Sequence, residues 1–331
     1  MSATPAFASA LFDDDSPIDI TLSGPLGTIS RERQDEIRVE YPFVLTIDGK
    51  EVPLGVRVRG HSRTYLCSFP PLRLRFEAGA SDSTVFAGQD TLKLVTHCRN
   101  DKAHYEDNAL DEYMAYHIFN LISDVGYRVR LLRIRYDDTD GKLKHLDRPY
   151  YGFVIEPDDE LAARVGGNIT ETPGVLYSRL NAIQTARVNV FQYLIANMDW
   201  SLVTATGEDI CCHNIDLMEI DDELFPIPYD FDLSGVVHAK YAKPPEEVRV
   251  RSVTTRVYRG YCRSPIEEVA AALDDIMDLR DEIMAIVEAS PATNNKDAEK
   301  RTQFLGRFFE EAAEDREKLI SKFDQDCIGG R

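Results

Sequence analysis

Hydrophobic and polar residues alternate along several short runs in the first half of the chain. This alternation is typical of half-buried β-strands, and it is clearest between Pro71 and Phe76, where apolar residues alternate with arginines. An Asp48-Gly49 pair between two alternating runs indicates a β-hairpin. The strands predicted for this half cover residues 18–26, 43–47, 52–59, 71–76, 91–98, 129–136 and 150–155.

Helical spacing replaces this alternation elsewhere. Apolar residues recur at helical intervals over residues 103–122, which predicts one helix among the strands. The second half is predicted to be mainly helical, with one hairpin formed by residues 213–220 and 224–229. Its predicted helices cover residues 158–165, 185–198, 264–288 and 297–323.

A sheet-rich half followed by a mainly helical half predicts an α+β fold with two lobes. We place a disordered tail at residues 1–17, a mainly antiparallel-sheet N-lobe with one helix at residues 18–156, and a mainly helical C-lobe at residues 157–331. The connector between the lobes would lie near Glu156-Pro157. This order of elements is that of a bilobal protein-kinase-like fold.

Composition and charge restrict the classes of function. The 331 residues are 43% hydrophobic and 29% charged, as expected for a globular protein with a substantial core. The net charge of −19 argues against a general nucleic-acid binder, which normally presents a basic face. We expect no membrane span, because no apolar run is long enough. Residues 1–12 lack the basic region of a signal peptide, so the cytoplasm is favoured over export.

The six cysteines do not show the Cys-x-x-Cys spacing of a structural zinc site. They are also too sparse for a disulfide scaffold in a chain of this length. We therefore expect most of them to be reduced, buried thiols. A Cys67–Cys98 disulfide between neighbouring strands is left open.

Carboxylate and amide side chains stand at the ends of predicted elements in the second half. Asp199 follows a predicted helix, Asn214 lies at the start of the predicted hairpin, and Asp230 follows its end. In phosphoryl transfer, one carboxylate orients the attacking hydroxyl while an Asn and a second Asp hold the metal that bridges the ATP phosphates. Mg²⁺ prefers such oxygen ligands. We therefore predict a catalytic Asp199 and a metal site at Asp230 and Asn214, with Asp232 either a further ligand or a cap of the next turn.

Six motifs stand in an order that is known from another family. They are Arg59-Gly60-His61-Ser62-Arg63, Pro71-Leu72-Arg73-Leu74-Arg75-Phe76, Lys93-Leu94-Val95, Asn197-Met198-Asp199, His213-Asn214 and Asp230-Phe231-Asp232. In this order they resemble the motifs of the spore-coat CotH-type atypical protein kinases, and the resemblance runs from about residue 55 to about residue 240. The chain also looks like an uncharacterised bacterial group that carries a Pro-Tyr-Asp-Phe-Asp motif.

The resemblance implies a protein-kinase-like fold, ATP as the nucleotide and a divalent metal, Mg²⁺ or Mn²⁺. It also implies that Lys93 neutralises the α- and β-phosphates and that Glu112 forms an ion pair with this lysine. Glu106 lies on the same predicted helix and competes with Glu112 for that role. Lys93 would therefore act in catalysis together with Asp199 as well as in nucleotide binding.

The other implied residues also concern the nucleotide. Arg59 and Arg63 would clamp its phosphates, because the chain lacks the Gly-x-Gly-x-x-Gly loop of common kinases. Main-chain groups at Glu156 would meet the adenine. One spacing departs from the family, since Asp199 and Asn214 are fifteen residues apart and an insertion would have to bulge out between them.

Three functions are compatible with these residues. The first is an ATP- and metal-dependent phosphotransferase of the kinase-like type, which transfers phosphate or AMP to a protein or a small hydroxylated acceptor. The second is a catalytically weak binding module of the same fold, which the long Asp199–Asn214 spacing favours. The third is a metal-dependent phosphodiesterase or nuclease, which the seven scattered histidines and the acidic charge disfavour. We expect the first.

Overall fold

A computed structural model of the chain describes residues 10–202 and 211–329, and the chain divides into two units. The barrel unit contains the described residues up to Tyr113 together with Arg128–Glu160. The helical unit contains Met114–Tyr127 and the described residues from Leu161 onward. The boundary after Glu160 lies close to the predicted lobe boundary at residue 156, but Met114–Tyr127, from the first half of the chain, belongs to the helical unit.

The strands of the barrel unit close into a seven-stranded barrel. Its strands are β1 (Ile18–Gly24), β2 (Tyr41–Ile47), β3 (Lys50–Val58), β4 (Leu72–Phe76), β5 (Thr91–Val95), β6 (Val129–Asp138) and β7 (Tyr150–Ile155). They are hydrogen-bonded in the order β1-β2-β3-β4-β5-β7-β6, and β6 returns to β1. All neighbours are antiparallel except β1 and β6, which run parallel.

The predicted bilobal protein-kinase-like fold is therefore wrong, although the α+β class holds. The predicted N-lobe was a mainly antiparallel sheet, whereas the structure has a closed barrel of mixed strands. The strand that closes it pairs Ile18 with Leu132 and Gly24 with Asp138. Alternation along one strand reports which side chains are buried but not which distant strand lies beside it, and this pairing joins positions more than a hundred residues apart.

The barrel interior is apolar, as the alternating pattern predicted. Leu45 and Leu74 are fully buried, and so are the other inward-facing residues Leu22, Val56, Leu72, Leu92, Leu94, Leu132 and Ile134. The β2–β3 hairpin is also confirmed: Ile47 pairs with Lys50 across the turn Asp48-Gly49, whose two residues have positive φ angles of 50° and 74°. An Asp-Gly pair adopts such a turn readily.

Four α-helices and a 3-10 helix lie between residues 10 and 165. A 3-10 helix at Ala10–Phe12 buries Leu11 and Phe12, so ordered structure begins before residue 18; residues 1–9 of the predicted tail lie outside the described part. The helices are α1 (Leu26–Arg31), α2 (Ser62–Leu66), α3 (His104–Ile122) and α4 (Asp158–Val165). The first two short helices carry no periodic signal and were missed.

The helical unit contains five further helices and a small sheet among its described residues. The helices are α5 (Ala182–Leu194), α6 (Ile266–Asp278), α7 (Arg280–Ala289), α8 (Asn295–Glu314) and α9 (Arg316–Asp326), with a 3-10 helix at Tyr177–Arg179. The sheet consists of β8 (Asn168–Ile169), β9 (Ile215–Ile220) and β10 (Glu223–Pro228), in the order β10-β9-β8. Within the residues described, no helix has the length and apolar content needed to cross a membrane.

Each of the last two predicted helices is in fact a pair. The first is interrupted at Leu279 and the second at Asp315. Asp315 has an extended φ of −153°, and its side chain accepts a hydrogen bond from the N–H of Lys318, so it caps a new helix instead of continuing the old one. Continuous apolar spacing did not reveal this break.

All six cysteines form disulfides, which corrects the expectation of reduced thiols. Cys67 pairs with Cys98 in the barrel unit, and Cys262 pairs with Cys327 in the helical unit. The third disulfide joins the adjacent residues Cys211 and Cys212. The number of cysteines relative to chain length does not predict their pairing, because pairing depends on which strands and termini the fold brings together.

Candidate functional site

The β9–β10 hairpin brings Asn214 and Asp230 to one of its ends. The last strand pair joins Ile215 to Pro228, and the N–H of Tyr229 donates to the carbonyl of Asn214 at 3.2 Å. Asn214 and Asp230 both have positive φ angles, 51° and 57°. Left-handed backbone at residues other than glycine costs free energy and is concentrated at functional sites. The two residues predicted to hold a metal thus emerge at the same end of one hairpin.

Asp199 lies in a turn that Asn197 holds in place after α5. The side-chain Oδ1 of Asn197 accepts a hydrogen bond from the N–H of Asp199 at 3.0 Å, and its carbonyl accepts one from the indole of Trp200 at 3.2 Å. Asn197 and Trp200 are almost fully buried. The turn therefore fixes the backbone from which the Asp199 side chain projects.

A bridge between Ser201 and His213 explains how Asp199 and Asn214 meet despite their separation. The N–H of each bridge residue donates to the carbonyl of the other, at 3.0 and 3.1 Å. The expected insertion, residues 202–212, is therefore closed at its base; its residues 203–210 lie outside the described part. The length of an insertion closed in this way does not affect the distance between the residues on either side of it.

Asp199 is the centre of a hydrogen-bonded group. The amide nitrogen of Asn214 donates to the carbonyl of Asp199 at 2.7 Å and to its Oδ2 at 2.9 Å. Nε2 of His213 lies 2.8 Å from Oδ1 of the same carboxylate. Both carboxylate oxygens are thus positioned, while 29% of the side chain stays accessible to solvent. His213 thus hydrogen-bonds within the loop.

The same contacts orient Asn214 toward a further partner. Because its amide nitrogen faces Asp199, its Oδ1 points elsewhere, and no described residue donates a hydrogen bond to it. Asn214 is itself buried, with 9% of its surface exposed. A buried amide oxygen that is held in one orientation and has no described donor can bind a hydrogen-bond donor or a hard metal ion.

Phe231 anchors the Asp-Phe-Asp segment. Its ring is fully buried against Tyr116, at a centroid distance of 4.7 Å, and Phe191, at 5.4 Å. The hydroxyl of Tyr116 accepts a hydrogen bond from the N–H of Asp230 at 3.0 Å. The backbone of Asp230 is therefore fixed, whereas its half-buried carboxylate forms no hydrogen bond or ion pair with any described residue.

Asp232 is held on the other side of Phe231. It is 5% exposed, and the hydroxyl of Tyr241 donates to its Oδ2 at 3.0 Å. The chain then turns at Gly235, whose N–H donates to the carbonyl of Ala196 at 2.9 Å. A Cβ at Gly235 would lie 2.6 Å from the carbonyl of Val253, so only glycine allows this close approach. The contact with Tyr241 gives Asp232 a structural partner.

The donor set at the hairpin end fits a magnesium ion that binds together with phosphates. Among the residues described, no three His, Cys, Asp or Glu side chains are grouped so that they could hold a metal. The described residues therefore do not supply the three or four such ligands that zinc takes. Mg²⁺ keeps several waters and is commonly bound by one or two protein oxygens plus substrate phosphates. Asp230 and Asn214 can supply those two oxygens.

Lys93 and Glu112 lie in the barrel unit, each with an ion-pair partner. Nζ of Lys93 is 3.3 Å from Oδ1 of Asp158, and both side chains are substantially exposed. Glu112 is 2% exposed and lies 3.4 Å from Nη1 of Arg63, whose Nη2 also donates to a main-chain carbonyl at 2.8 Å. These contacts hold Arg63 inside the unit. An ion pair between Lys93 and Glu112 stays a prediction.

The other barrel residues have defined local contacts. Glu106, the competitor of Glu112, accepts hydrogen bonds from Arg148 and from the N–H of Tyr151, at 2.6 and 2.7 Å. The carboxylate of Glu156 is buried and accepts from Arg128, and its N–H is used in strand pairing. Donation from the Glu156 N–H to an adenine would therefore require breaking that pair.

Arg59 lies immediately after β3. Its N–H donates to the carbonyl of Pro71 at 3.1 Å, which continues the β3–β4 pairing by one step beyond Val58. The arginine therefore stands at the end of β3, where the sequence placed it. Its role toward phosphates stays a prediction.

Sequence reasoning missed the residues that support the site. Tyr116 lies on the predicted helix, but a buried tyrosine at helical spacing gives no sign that its hydroxyl meets the N–H of Asp230. Tyr241 lies in an irregular segment. Only Asn197 carried a usable signal, because an Asn two residues before Asp199 is typical of an Asx turn.

Comparison with known proteins adds no relative: no family model matches the chain, and no curated protein matches it. The class of the site must therefore be argued from its own residues. These are an oriented and partly exposed carboxylate at Asp199, and two oxygen donors at one hairpin end, Asn214 and Asp230. The carboxylate of Asp199 and the oxygens of Asn214 and Asp230 are the residue types that a metal-assisted transfer site would need.

Proposed function

We propose that the chain is an ATP- and Mg²⁺-dependent phosphotransferase that acts on a hydroxyl group of a protein or of a small molecule. The observation that carries this proposal is the direct contact of Asn214 with Asp199, at the hairpin end from which Asp230 also projects. The expected separation of these residues by an insertion would have argued for a weak binding module. Closure of the insertion at Ser201 and His213 removes that argument.

In this proposal Asp199 orients the acceptor hydroxyl and receives its proton. Hydrogen bonds from Asn214 and His213 hold the carboxylate in one orientation, and its partial exposure leaves room for an acceptor. A general base positioned in this way contributes about 10²–10⁴-fold to a rate. The magnesium ion, when bound, would neutralise phosphate charge, and Asp230 with Asn214 would hold it.

Lys93 is proposed to contact the nucleotide phosphates, together with Arg59 and Arg63; for the buried Arg63 this requires release from Glu112. The Lys93–Asp158 pair supports an exchangeable role, because both side chains are more than a third exposed and such pairs contribute little to stability. A phosphate oxygen can therefore replace Asp158 at small cost. Mn²⁺ would serve in place of Mg²⁺, since it accepts the same oxygen ligands.

The proposal is tested by label transfer from ATP. The chain is incubated with Mg²⁺ or Mn²⁺, candidate protein and small-molecule acceptors, and ATP labelled at either the γ- or the α-phosphate. Transfer from the γ-position supports a kinase activity, and transfer from the α-position supports AMP transfer at the same site. ATP binding without any transfer would replace the proposal by a binding module, and absence of ATP binding would overturn it.

Matched variants show whether any transfer comes from this site. Asp199→Asn removes the proposed base and should lower the rate of transfer by about 10²–10⁴-fold. Asp221→Asn is the control, because Asp221 lies in the exposed turn at the opposite end of the hairpin and has a positive φ of 49° that asparagine tolerates. Equal loss in both variants would assign the activity to a contaminant or to a change in the fold.

A further inference from the structure

Three cationic side chains form a row across neighbouring barrel strands. Arg57 of β3 pairs directly with Arg73 of β4, and Arg73 pairs directly with Lys93 of β5. Directly paired residues on antiparallel strands point to the same face, with Cβ atoms about 4.5–5.5 Å apart. The register therefore places three positive charges side by side, and we call Arg57, Arg73 and Lys93 the cationic row.

The cationic row lies on the outer face of the barrel. The residues before and after each member point inward and are buried in the apolar core; they are Val56, Val58, Leu72, Leu74, Leu92 and Leu94. The three members themselves are half-buried. Their charged ends can thus reach an outside ligand, while their stems pack along the sheet.

Lys93 is paired with Asp158, whereas the two guanidinium charges of the row have no ion-pair partner among the described residues. Arg73 forms no ion pair with a described residue, and its Nε atom is buried without a hydrogen-bond partner. Nη1 of Arg57 donates a 3.5 Å hydrogen bond to the carbonyl of Val58. Arg75 lies on β4 and on the same face as Arg73, but its charge is compensated. Glu40 accepts hydrogen bonds from its Nε at 2.9 Å and its Nη2 at 2.6 Å.

Like charges directly opposite each other on a sheet are destabilising. Burial first, and then the neighbouring charge of Arg73, lowers the pKa of Arg57; Arg38 adds to this effect and Glu40 opposes it. In a chain with a net charge of −19, nearby carboxylates could have neutralised the pair. Glu40, whose charge acts on Arg57, is paired with Arg75, and no described carboxylate forms an ion pair with Arg57 or Arg73, so an anionic ligand would complete the row.

We infer that the cationic row binds the phosphate groups of a small anionic molecule and, resting on the proposed function, that this molecule is the nucleotide. Each guanidinium can donate two parallel hydrogen bonds to a phosphate, and two neighbouring guanidiniums with one ammonium match the spaced charges of an oligophosphate. The inference adds Arg57 and Arg73 to the residues assigned to phosphate.

Calorimetry with inorganic tripolyphosphate tests the row without any need for a metal or for turnover. Arg57→Gln and Arg73→Gln should each weaken binding about tenfold, since a charge-assisted hydrogen bond is lost. Arg75→Gln is the control, because it removes the same charge from the same strand, and it should change the affinity about twofold or less. Binding by the unaltered chain should also weaken as salt is raised.

Arg73→Lys keeps the charge but loses the planar fork, so it should bind with intermediate affinity. This variant replaces Arg73→Gln if the latter unfolds, as judged by circular dichroism. Unchanged tripolyphosphate affinity in the Arg57→Gln/Arg73→Gln double variant would overturn the inference. Equal weakening by Arg75→Gln would also overturn it, because binding would then follow net charge alone.

Parallel titrations with ATP separate this inference from the proposed function. If both arginines are required for tripolyphosphate and for ATP but no label is transferred, the phosphate site stands and the phosphotransferase proposal fails. If label is transferred while the double variant binds ATP as the unaltered chain does, the phosphotransferase stands and the inference fails. Tripolyphosphate binding that depends on the arginines without ATP binding would reassign the row to another phosphate compound, and the nucleotide part of the inference would be lost.

Discussion

The apolar interior of the barrel and the hairpin end of the helical unit differ in the side chains that they bury. The interior of the barrel is filled mainly by leucine, isoleucine and valine at or near zero exposure, and the buried charged residues of this unit, such as Glu112 and Glu156, lie outside that apolar cluster. At the hairpin end the buried residues Asn197, Asn214 and Asp232 are themselves polar. Removing such groups from water costs free energy unless each finds a partner.

The difference separates the part of the fold that apolar packing stabilises from the part that holds the polar residues of the candidate site. Apolar packing gives the barrel its stability without fixing any reactive group. The hairpin end holds Asp199 between two side-chain partners and leaves the oxygens of Asn214 and Asp230 without described partners. Burying a polar network of this kind costs desolvation free energy. Such networks are concentrated at functional sites, where the arrangement of polar groups is needed.

The largest expected effect is at the hairpin end. Asp199→Asn should lower the transfer rate by about 10²–10⁴-fold, because asparagine cannot take the acceptor's proton. ATP affinity should remain as in the unaltered chain, since Asp199 is not assigned to the nucleotide. Steady-state kinetics and calorimetry measure the two quantities. Loss of ATP binding with the fold intact would instead give Asp199 a structural or metal-binding role.

The disulfides allow the two units to be compared by stability. Replacing Cys262 and Cys327 by serine opens a loop with a sequence separation of 65 and should cost about 4 kcal/mol. The same change at Cys67 and Cys98, with a separation of 31, should cost somewhat less.

Urea unfolding measures these costs. The single tryptophan, Trp200, lies buried in the helical unit, so its fluorescence reports that unit, while circular dichroism reports both. Cysteine alkylation of the unaltered chain without a reductant should label no thiol in the described part of the chain. Equal stability of the serine variants and the unaltered chain would contradict the pairing.

A buried histidine gives the barrel unit a pH dependence. His97 is fully buried between Tyr150 and Phe69, and desolvation lowers its pKa to about 3, although a hydrogen bond with Asn100 opposes this. The unfolded chain binds a proton near pH 6.5 and the folded barrel does not. The contribution of His97 to the free energy of unfolding is therefore fully present above pH 6.5. It falls by about 1.4 kcal/mol per pH unit as the pH drops from there toward 3.

The variant His97→Phe isolates this contribution. Phenylalanine can keep the ring stacking but has no proton to bind, so the stability difference between pH 7 and pH 5 should shrink by the contribution of one titrating group. Urea unfolding at the two pH values, followed by circular dichroism, measures it. The same pH difference in the variant and the unaltered chain would show that His97 does not control it.

The smallest expected effect concerns the buried carboxylate beside the site. Tyr241→Phe removes the hydroxyl that donates to Asp232 and should cost about 1–2 kcal/mol, because a buried acceptor loses a partner. Urea unfolding measures this change by Trp200 fluorescence, and circular dichroism, which reports both units, measures it together with the control. Tyr151→Phe, on a half-buried barrel side chain, serves as the control in the other unit and should cost less. An equal cost in both would remove the distinction drawn between the units at this position.

Local elements of the fold could be predicted from the sequence, but its closure could not. The Asp48-Gly49 turn and the alternation beside it determine the β2–β3 register through local geometry alone. Pairing Ile18 with Leu132 depends on the twist and closure of the whole sheet. The kinase-like arrangement was inferred from the order of elements, and order does not determine which strands meet.

The sequence singled out polar residues that the fold brings to the candidate site, but not the residues that support them. Asp199, Asn214 and Asp230 stand at ends of apolar elements, where polar residues are conspicuous. Tyr116 and Tyr241 were not found, because an aromatic residue in a helix or loop is equally consistent with simple packing. Supporting hydrogen bonds come from residues distant in the chain, which no local pattern reports.

The most direct test of the central claim is calorimetric titration of ATP in the presence and absence of Mg²⁺, with the unaltered chain and with Asp230→Asn. Asparagine tolerates the positive φ of 57° at this position, so the backbone should be retained. We expect the variant to lose about tenfold or more of its affinity for ATP with Mg²⁺, because one of two protein ligands has lost its charge, while metal-free ATP binds as before. Asp221→Asn should leave both affinities unchanged. An unchanged affinity for ATP with Mg²⁺ in Asp230→Asn would contradict the assignment of the hairpin end as a metal-dependent transfer site.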